Sequence, residues 1–292
     1  MDRYEKTLSD SKVVADDASV AAEVSKIVEK SATYATPDVY KFLFSSIDLT
    51  TLSTEDSQES VAAFTRRVND FDNDYPQYDS VAAICVYSNF AEVVSSNLDV
   101  TGVDVAVVAG GFPSSQTFTA VKVADVALAV AGGANEVDVV MNLGYLRDKN
   151  YEELCDELIE LKHTAKDAKL KVILETGALK TAKAIKEASI LAMWSDADFI
   201  KTSTGKIYPG ASLEAAYVMC ECIKEYYEQT GRKVGFKAAG GIRTTEEAVH
   251  YYAIVKEVLG DEWLNRDLFR IGASSLANNL LSVMTGEEQK YF

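Results

Sequence analysis

From residue 46 onward the chain repeats one unit: a short apolar run, a small or polar loop, then an amphipathic stretch. Strand-like apolar runs fall at 46–49, 82–87, 104–109, 136–142, 169–176, 197–204, 233–240 and 269–275. Stretches rich in Ala, Glu, Lys and Val, such as 118–131 and 213–229, separate them with the spacing of helices. Upstream, 19–30 has a helical pattern and Pro37 opens a second short helix, a place proline favours. Strands alternating with helices in this way imply parallel pairing through right-handed crossovers. The pattern predicts an α/β fold: a single (β/α)8 TIM barrel over 45–281, extra N-terminal helices over 1–44 and a tail over 282–292. A doubly wound open sheet is the alternative, but the first strand lacks the Gly-x-Gly-x-x-Gly turn of a dinucleotide site. No linker marks a second domain.

Composition narrows the partners. A length of 292 residues suits one barrel, which takes about 250. The formal charge of −16, with no Lys/Arg cluster to form a basic patch, argues against nucleic acid and anionic membranes. No apolar run approaches the ~20 residues that cross a bilayer, and the N-terminus lacks a signal-peptide core. A cytoplasmic protein is the expectation. Cys85, Cys155, Cys220 and Cys222 do not follow metal-site spacing and are expected as reduced thiols. His163 and His250 fall in helical stretches, so a histidine-bound metal is not expected.

Barrel strands send alternate side chains inward, usually bulky and branched ones. Here the parity puts charge inside. Over 136–142, Val137, Val139 and Met141 suit the helix layer, leaving Glu136, Asp138, Val140 and Asn142 inward. Over 169–175, Lys171, Ile173 and Glu175 face in; over 233–239, Gly235 and Lys237 do so. Asp48 and Lys201 follow by the same rule. A slip of one residue would instead press these charges into the helix layer. An ion network that only fixes the fold is one reading, yet such networks are often replaceable by apolar groups without loss. Ionisable groups gathered at strand ends favour a reactive site.

Two lysines and an acid permit one chemistry in particular. An amine nucleophile must be neutral, whereas a free lysine with a pKa of about 10.4 is protonated at pH 7. Desolvation and a second ammonium both disfavour the charged form. Lys201 and Lys237, on neighbouring strands, satisfy that requirement, and a neutral lysine forms a Schiff base with a carbonyl. Asp138 is placed to move protons. The residues by themselves do not say which lysine reacts. An anion cradle is also visible, since barrels often bind phosphate in the loops after their last two strands. Gly240-Gly241 follows the seventh strand, Gly272-Ala273-Ser274-Ser275 ends the eighth, and Thr204-Gly205-Lys206 adds donors and a charge.

The motifs IDLT at 47–50, AAICVY at 82–87, GANEVDVVMN at 133–142, LKVILETG at 170–177, ADFIKTSTGK at 197–206, VGFKAAGGIRT at 234–244 and FRIGASS at 269–275 resemble those of the deoxyribose-phosphate aldolase (DeoC-type) family. The resemblance implies Lys201 as the Schiff-base lysine, Lys237 as its pKa-lowering neighbour and Asp138 as the proton-relay acid. It places Asp48, Thr50 and Cys85 on the substrate side and Lys171 in the inner network. It implies reversible cleavage of 2-deoxy-D-ribose 5-phosphate to acetaldehyde and D-glyceraldehyde 3-phosphate in deoxyribonucleotide catabolism. No cofactor is expected, and a homodimer is the candidate assembly. Another phosphosugar aldolase or transaldolase, and a catalytically silent phosphate-binding barrel, are the rival readings. Two positions depart from the family pattern. Residues 109–115, AGGFPSS, stand where many members carry Asn-Phe-Pro-His-Gly, which bears on the aldehyde pocket, and Ser88 stands where proline is frequent. The polar tail 286–292 reads as a frayed end; the sharper alternative folds Tyr291 over the barrel mouth to shield an enamine.

Overall fold

A computed structural model describes residues 3–292. Eight parallel strands close into a barrel in sequence order: β1 (Ile47–Thr50), β2 (Ala83–Tyr87), β3 (Asp104–Ala109), β4 (Glu136–Val140), β5 (Lys169–Ile173), β6 (Phe199–Lys201), β7 (Gly235–Ala239) and β8 (Phe269–Ala273). β8 returns to pair with β1. Every strand lies within its expected run except β1, which extends one residue further; most are shorter than the pattern suggested. β6 is the shortest, because after Lys201 the Thr202 hydroxyl takes over, bonding both the amide and the carbonyl of Ala239 at 3.0 Å.

The helices are α1 (Arg3–Asp10), α2 (Asp17–Ser31), α3 (Pro37–Ser45), α4 (Gln58–Asp74), α5 (Ala91–Asn97), α6 (Thr119–Ala131), α7 (Leu143–Arg147), α8 (Tyr151–Ala165), α9 (Thr176–Leu179), α10 (Ala182–Trp194), α11 (Leu213–Thr230), α12 (Thr245–Leu259) and α13 (Ser275–Thr285). Their starts follow local chemistry. Asp16, Thr36, Ser57, Thr181, Ser212 and Thr244 each accept a backbone N–H at the first turn of the following helix. Pro37 sits in the first turn of α3, as expected. The extra helix α1 was not legible as a helix. It packs on α10, while α2 packs on α10, α11 and α12, so these two lie outside the helix ring.

Two interiors result. Between strands and helices lies an apolar shell containing Ile47, Leu49, Val137, Val139, Leu170, Val172, Ile200, Phe236 and Ile271, all buried. The lumen is different. Near its floor the Phe199 ring fills the space that a side chain on β7 would occupy: a Cβ on Gly235 would come within 2.3 Å of that ring. Above and around Phe199 stand the charged groups.

The tail corrects both expectations for it. It is neither frayed nor over the mouth, but turns back along α13 after Gly286. Asn278 accepts the amides of Tyr291 and Phe292 at 2.8 and 3.0 Å and donates to the Phe292 carbonyl at 2.9 Å. The Tyr291 hydroxyl donates to Asp74 at 2.7 Å, and both rings pack on Phe71. The physical reason is aromatic: Phe44, Phe71 and Tyr75 form a ready apolar seat on α3 and α4.

Candidate active site

Strand parity places Asp48, Glu136, Asp138, Lys171, Lys201, Lys237 and Arg270 in the lumen, each no more than 4% exposed. Arg270 bridges the floor, bonding Asp48 at 2.6 Å and Glu136 at 2.9 and 3.1 Å. Lys171 pairs with Glu136 and, at 3.1 Å, with Asp48. Higher up, Lys201 and Lys237 both reach Oδ2 of Asp138 at 2.7 Å, and Lys237 also pairs with Asp48. The second oxygen of Asp138 has no hydrogen-bond partner among the described residues and lies 3.6 Å from the Lys171 ammonium.

Four buried basic side chains thus face three buried carboxylates; at the rim Asp104, 3.2 Å from Arg270, and Lys169, 3.4 Å from Glu136, add one of each sign, so one proton is in surplus. Burial works against every charge here. It would raise Asp138, but Lys201, Lys237 and Lys171 outweigh it and hold that carboxyl below its ordinary range. It would lower Lys237, yet Asp138 and Asp48 together push that amine above the usual lysine value. For Lys201 the balance falls the other way. Burial, aided by the Lys237 ammonium, holds it below the usual value against the pull of Asp138. Lys201 has one carboxylate, shared; Lys237 has two. The amine that most readily gives up its proton is therefore Lys201. Burial is the leading cause and the neighbouring ammonium the lesser, a shift of emphasis from the sequence reading.

Lys201 is also the lysine that meets open space. A cavity of about 280 Å³ above the lumen is bordered by Thr50, Leu52, Lys201 and the strand-end loops at 204–206, 239–243 and 272–275. Gly240 needs its positive φ of +90° and its missing side chain, because a Cβ would lie 2.9 Å from the Gly210 backbone. On the β2–β3 side the lumen is apolar: Ala83, Cys85, Ala106 and Val108, flanked by Leu52, Tyr87 and Phe112. The loop after β3 is pinned from behind, with the buried Lys122 ammonium 2.7 Å from both Ser115 and Glu157. A cation, a nucleophile-capable amine and small-residue loops thus surround one opening. Among the described residues no group of His, Cys, Asp and Glu is arranged to hold a metal ion.

The family described as DeoC/LacD family aldolase matches residues 43–281. The chain belongs to that family. Two curated relatives, each named deoxyribose-phosphate aldolase, come from Mus musculus and Homo sapiens. The mouse protein is 41% identical over 249 residues, 80% of this chain and 77% of its own. The human protein is 39% identical over 245 residues, with the same coverage. Among solved structures, a tetrameric deoxyribose phosphate aldolase from Aeropyrum pernix superposes with a TM-score of 0.67 at 26% identity, covering 88% of this chain and 96% of that one. A structure described as QR15, an aldolase, has a TM-score of 0.67 at 28% identity, covering 83% and 96%.

In this family member the residues singled out from sequence divide into two tiers. Thr50, Lys201, Thr204, Gly205, Lys206, Gly240, Gly241, Gly272, Ser274 and Ser275 border the cavity. Asp48, Asp138, Lys171, Lys237 and Cys85 do not; they lie beneath it, in the lumen. Burial raises the Cys85 thiol above its usual value, which suits packing. Two inward expectations fail. β4 ends at Val140, and Asn142 instead caps α7 by accepting from Gly144 and Tyr145. β5 ends at Ile173, and Glu175, in a left-handed conformation, bonds Thr204 and joins no lumen ion pair. Sequence reasoning missed Arg270, whose signal was the same alternation in FRIGA at 269–273. It also missed Leu52, Ile242 and Arg243, which reach the cavity from loops without periodicity.

Proposed function

We propose that this chain is a deoxyribose-phosphate aldolase that reversibly cleaves 2-deoxy-D-ribose 5-phosphate to D-glyceraldehyde 3-phosphate and acetaldehyde through a Schiff base on Lys201. The observation that carries the assignment is the asymmetry of the two upper lysines: Lys201 borders the cavity with one shared carboxylate, and Lys237 lies below with two. Neutral Lys201 attacks C1 of the open-chain sugar, and the ionised Asp138 carboxylate relays a proton from cavity water to the carbinolamine hydroxyl, which leaves as water. The cationic imine then draws the C2–C3 bonding pair as the C3 hydroxyl passes its proton to the Asp138 carboxylate, 2.7 Å from Lys201. The three-carbon aldehyde phosphate leaves and an enamine stays on Lys201. Asp138 returns that proton to C2 of the enamine, and water then hydrolyses the imine, releasing acetaldehyde and one proton to solvent and restoring the neutral amine. Lys237 remains charged throughout and keeps the Lys201 amine unprotonated. The small lumen wall of Ala83, Cys85, Ala106 and Val108 suits a two-carbon fragment.

The 5-phosphate is assigned to the loops at 204–206, 240–241 and 272–275, with Lys206 and Arg243 supplying charge and the start of α13 supplying backbone N–H groups. No cofactor is invoked. The reading places the protein in the cytoplasm, in deoxyribonucleotide catabolism, acting on small phosphosugars and aldehydes. A homodimer is the assembly to test. Its support is the outer face of α6, where Phe118, Val121 and Leu128 are 82%, 52% and 73% exposed with no exposed charge between them, in a chain carrying −16. Leu128→Glu should then convert a sedimenting dimer to monomer. For the activity, the purified protein with chelator present should release both aldehydes from 2-deoxyribose 5-phosphate. Failure to release them would refute the assignment.

A further inference from the structure

Glu175 is a buried carboxylate that the proposed chemistry does not use. It is 2% exposed and makes no ion pair among the described residues. Its backbone sits at φ +54° and ψ +58°, a left-handed conformation that costs a non-glycine residue of order 1 kcal/mol and persists where surroundings over-determine it. Both the strain and the buried charge call for a compensating contact, and the contact is single. One oxygen accepts the Thr204 amide at 3.1 Å and the other accepts the Thr204 hydroxyl at 2.6 Å. The same hydroxyl oxygen accepts the Lys206 amide at 3.2 Å, closing the turn over Gly205, which has φ +73°. Thr204, Gly205 and Lys206 all border the cavity; Glu175 does not.

A negative charge behind an anion site works against the anion, so its retention points to what its hydrogen bonds hold. We infer that Glu175 is a positioning residue that locks the Thr204–Lys206 turn in the shape that receives the substrate phosphate. The inference rests on the assignment of the phosphate to that turn. The lysine chemistry lies outside its reach, since neither Lys201 nor Asp138 touches it.

The test compares 2-deoxyribose 5-phosphate with unphosphorylated 2-deoxyribose in the wild type and in Glu175→Gln, Thr204→Val and the double variant. Gln keeps the shape of the side chain but cannot accept from both Thr204 donors. The ratio of kcat/KM for the phosphorylated over the plain sugar should fall about tenfold in Glu175→Gln, chiefly through KM. Thr204→Val should lower the ratio by a similar factor, the double variant should fall no further, and the acidic limb of the pH profile should stay in place. A ratio that is unchanged, or that rises because a repelling charge has gone, overturns the inference. So does equal loss on both sugars together with a lowered Tm, which marks a merely structural role. A wild type indifferent to the phosphate would overturn the phosphate assignment itself, and the inference with it.

Discussion

Replacing Lys237 by Leu isolates the electrostatic claim. Lys201 and Lys237 each place Nζ 2.7 Å from the same oxygen of Asp138, so the two nitrogens are at most 5.4 Å apart (twice 2.7 Å). At an effective dielectric of about 20, like charges at that distance repel by about 3 kcal/mol. At ~1.36 kcal/mol per pH unit this corresponds to about two pH units. Asp138 would moreover pair with Lys201 unshared, which acts in the same direction. Asp48 keeps Lys171 and Arg270, so the variant is expected to fold. The reactive form of Lys201 is the neutral one, present above its pKa, and Lys237 lowers that pKa. Removing Lys237 therefore moves the acidic limb of kcat/KM toward alkaline pH by about two units and cuts activity at neutral pH by about 100-fold. A plateau should be regained at high pH. The assay is kcat/KM for 2-deoxyribose 5-phosphate across the pH range. An acidic limb that stays put, or a loss that persists undiminished on the alkaline plateau, would refute the reasoning.

Gly235→Ala should lower stability by about 1–3 kcal/mol through collision with the Phe199 ring; denaturant unfolding reads this, and Phe199→Leu in the same chain should restore part of it. The carboxyls of Asp48, Glu136 and Asp138 are all held below their ordinary values by the surrounding cations. The unfolded chain therefore takes up protons that the folded chain refuses, and stability, complete above about pH 5, should fall as pH drops below about 4. A Tm that stays flat from about pH 5 to pH 3 would contradict this. Deleting 286–292 should uncover Phe44 and Phe71 and lower the Tm, while leaving proton exchange into acetaldehyde unchanged. Slowed exchange with an unchanged Tm would instead mean that the tail leaves its seat to act at the mouth.

Much of the lumen was legible because strand alternation is a hard constraint. Asp48, Lys171, Lys201 and Lys237 were placed inward by parity, and the loops carrying Gly240-Gly241 and Gly272–Ser275 were located by their small residues at strand ends. What escaped depends on tertiary context. Arg270 obeyed the same alternation and was overlooked, although it supplies the fourth cation that leaves the lumen one proton in surplus. Period puts Glu175 inward, but β5 ends at Ile173 and the chain turns left-handed at Glu175, which no sequence rule anticipates for a glutamate. The tail's polar composition hides two aromatic anchors whose seat, Phe44, Phe71 and Tyr75, lies on α3 and at the end of α4, at the other end of the sequence.

The most direct measurement is reductive trapping. Borohydride added to the enzyme with acetaldehyde should leave a single ethyl group, found by peptide mass spectrometry on Lys201 and absent after Lys201→Arg. An ethyl group on Lys237, or an unmodified chain that still cleaves the phosphosugar, would contradict the account.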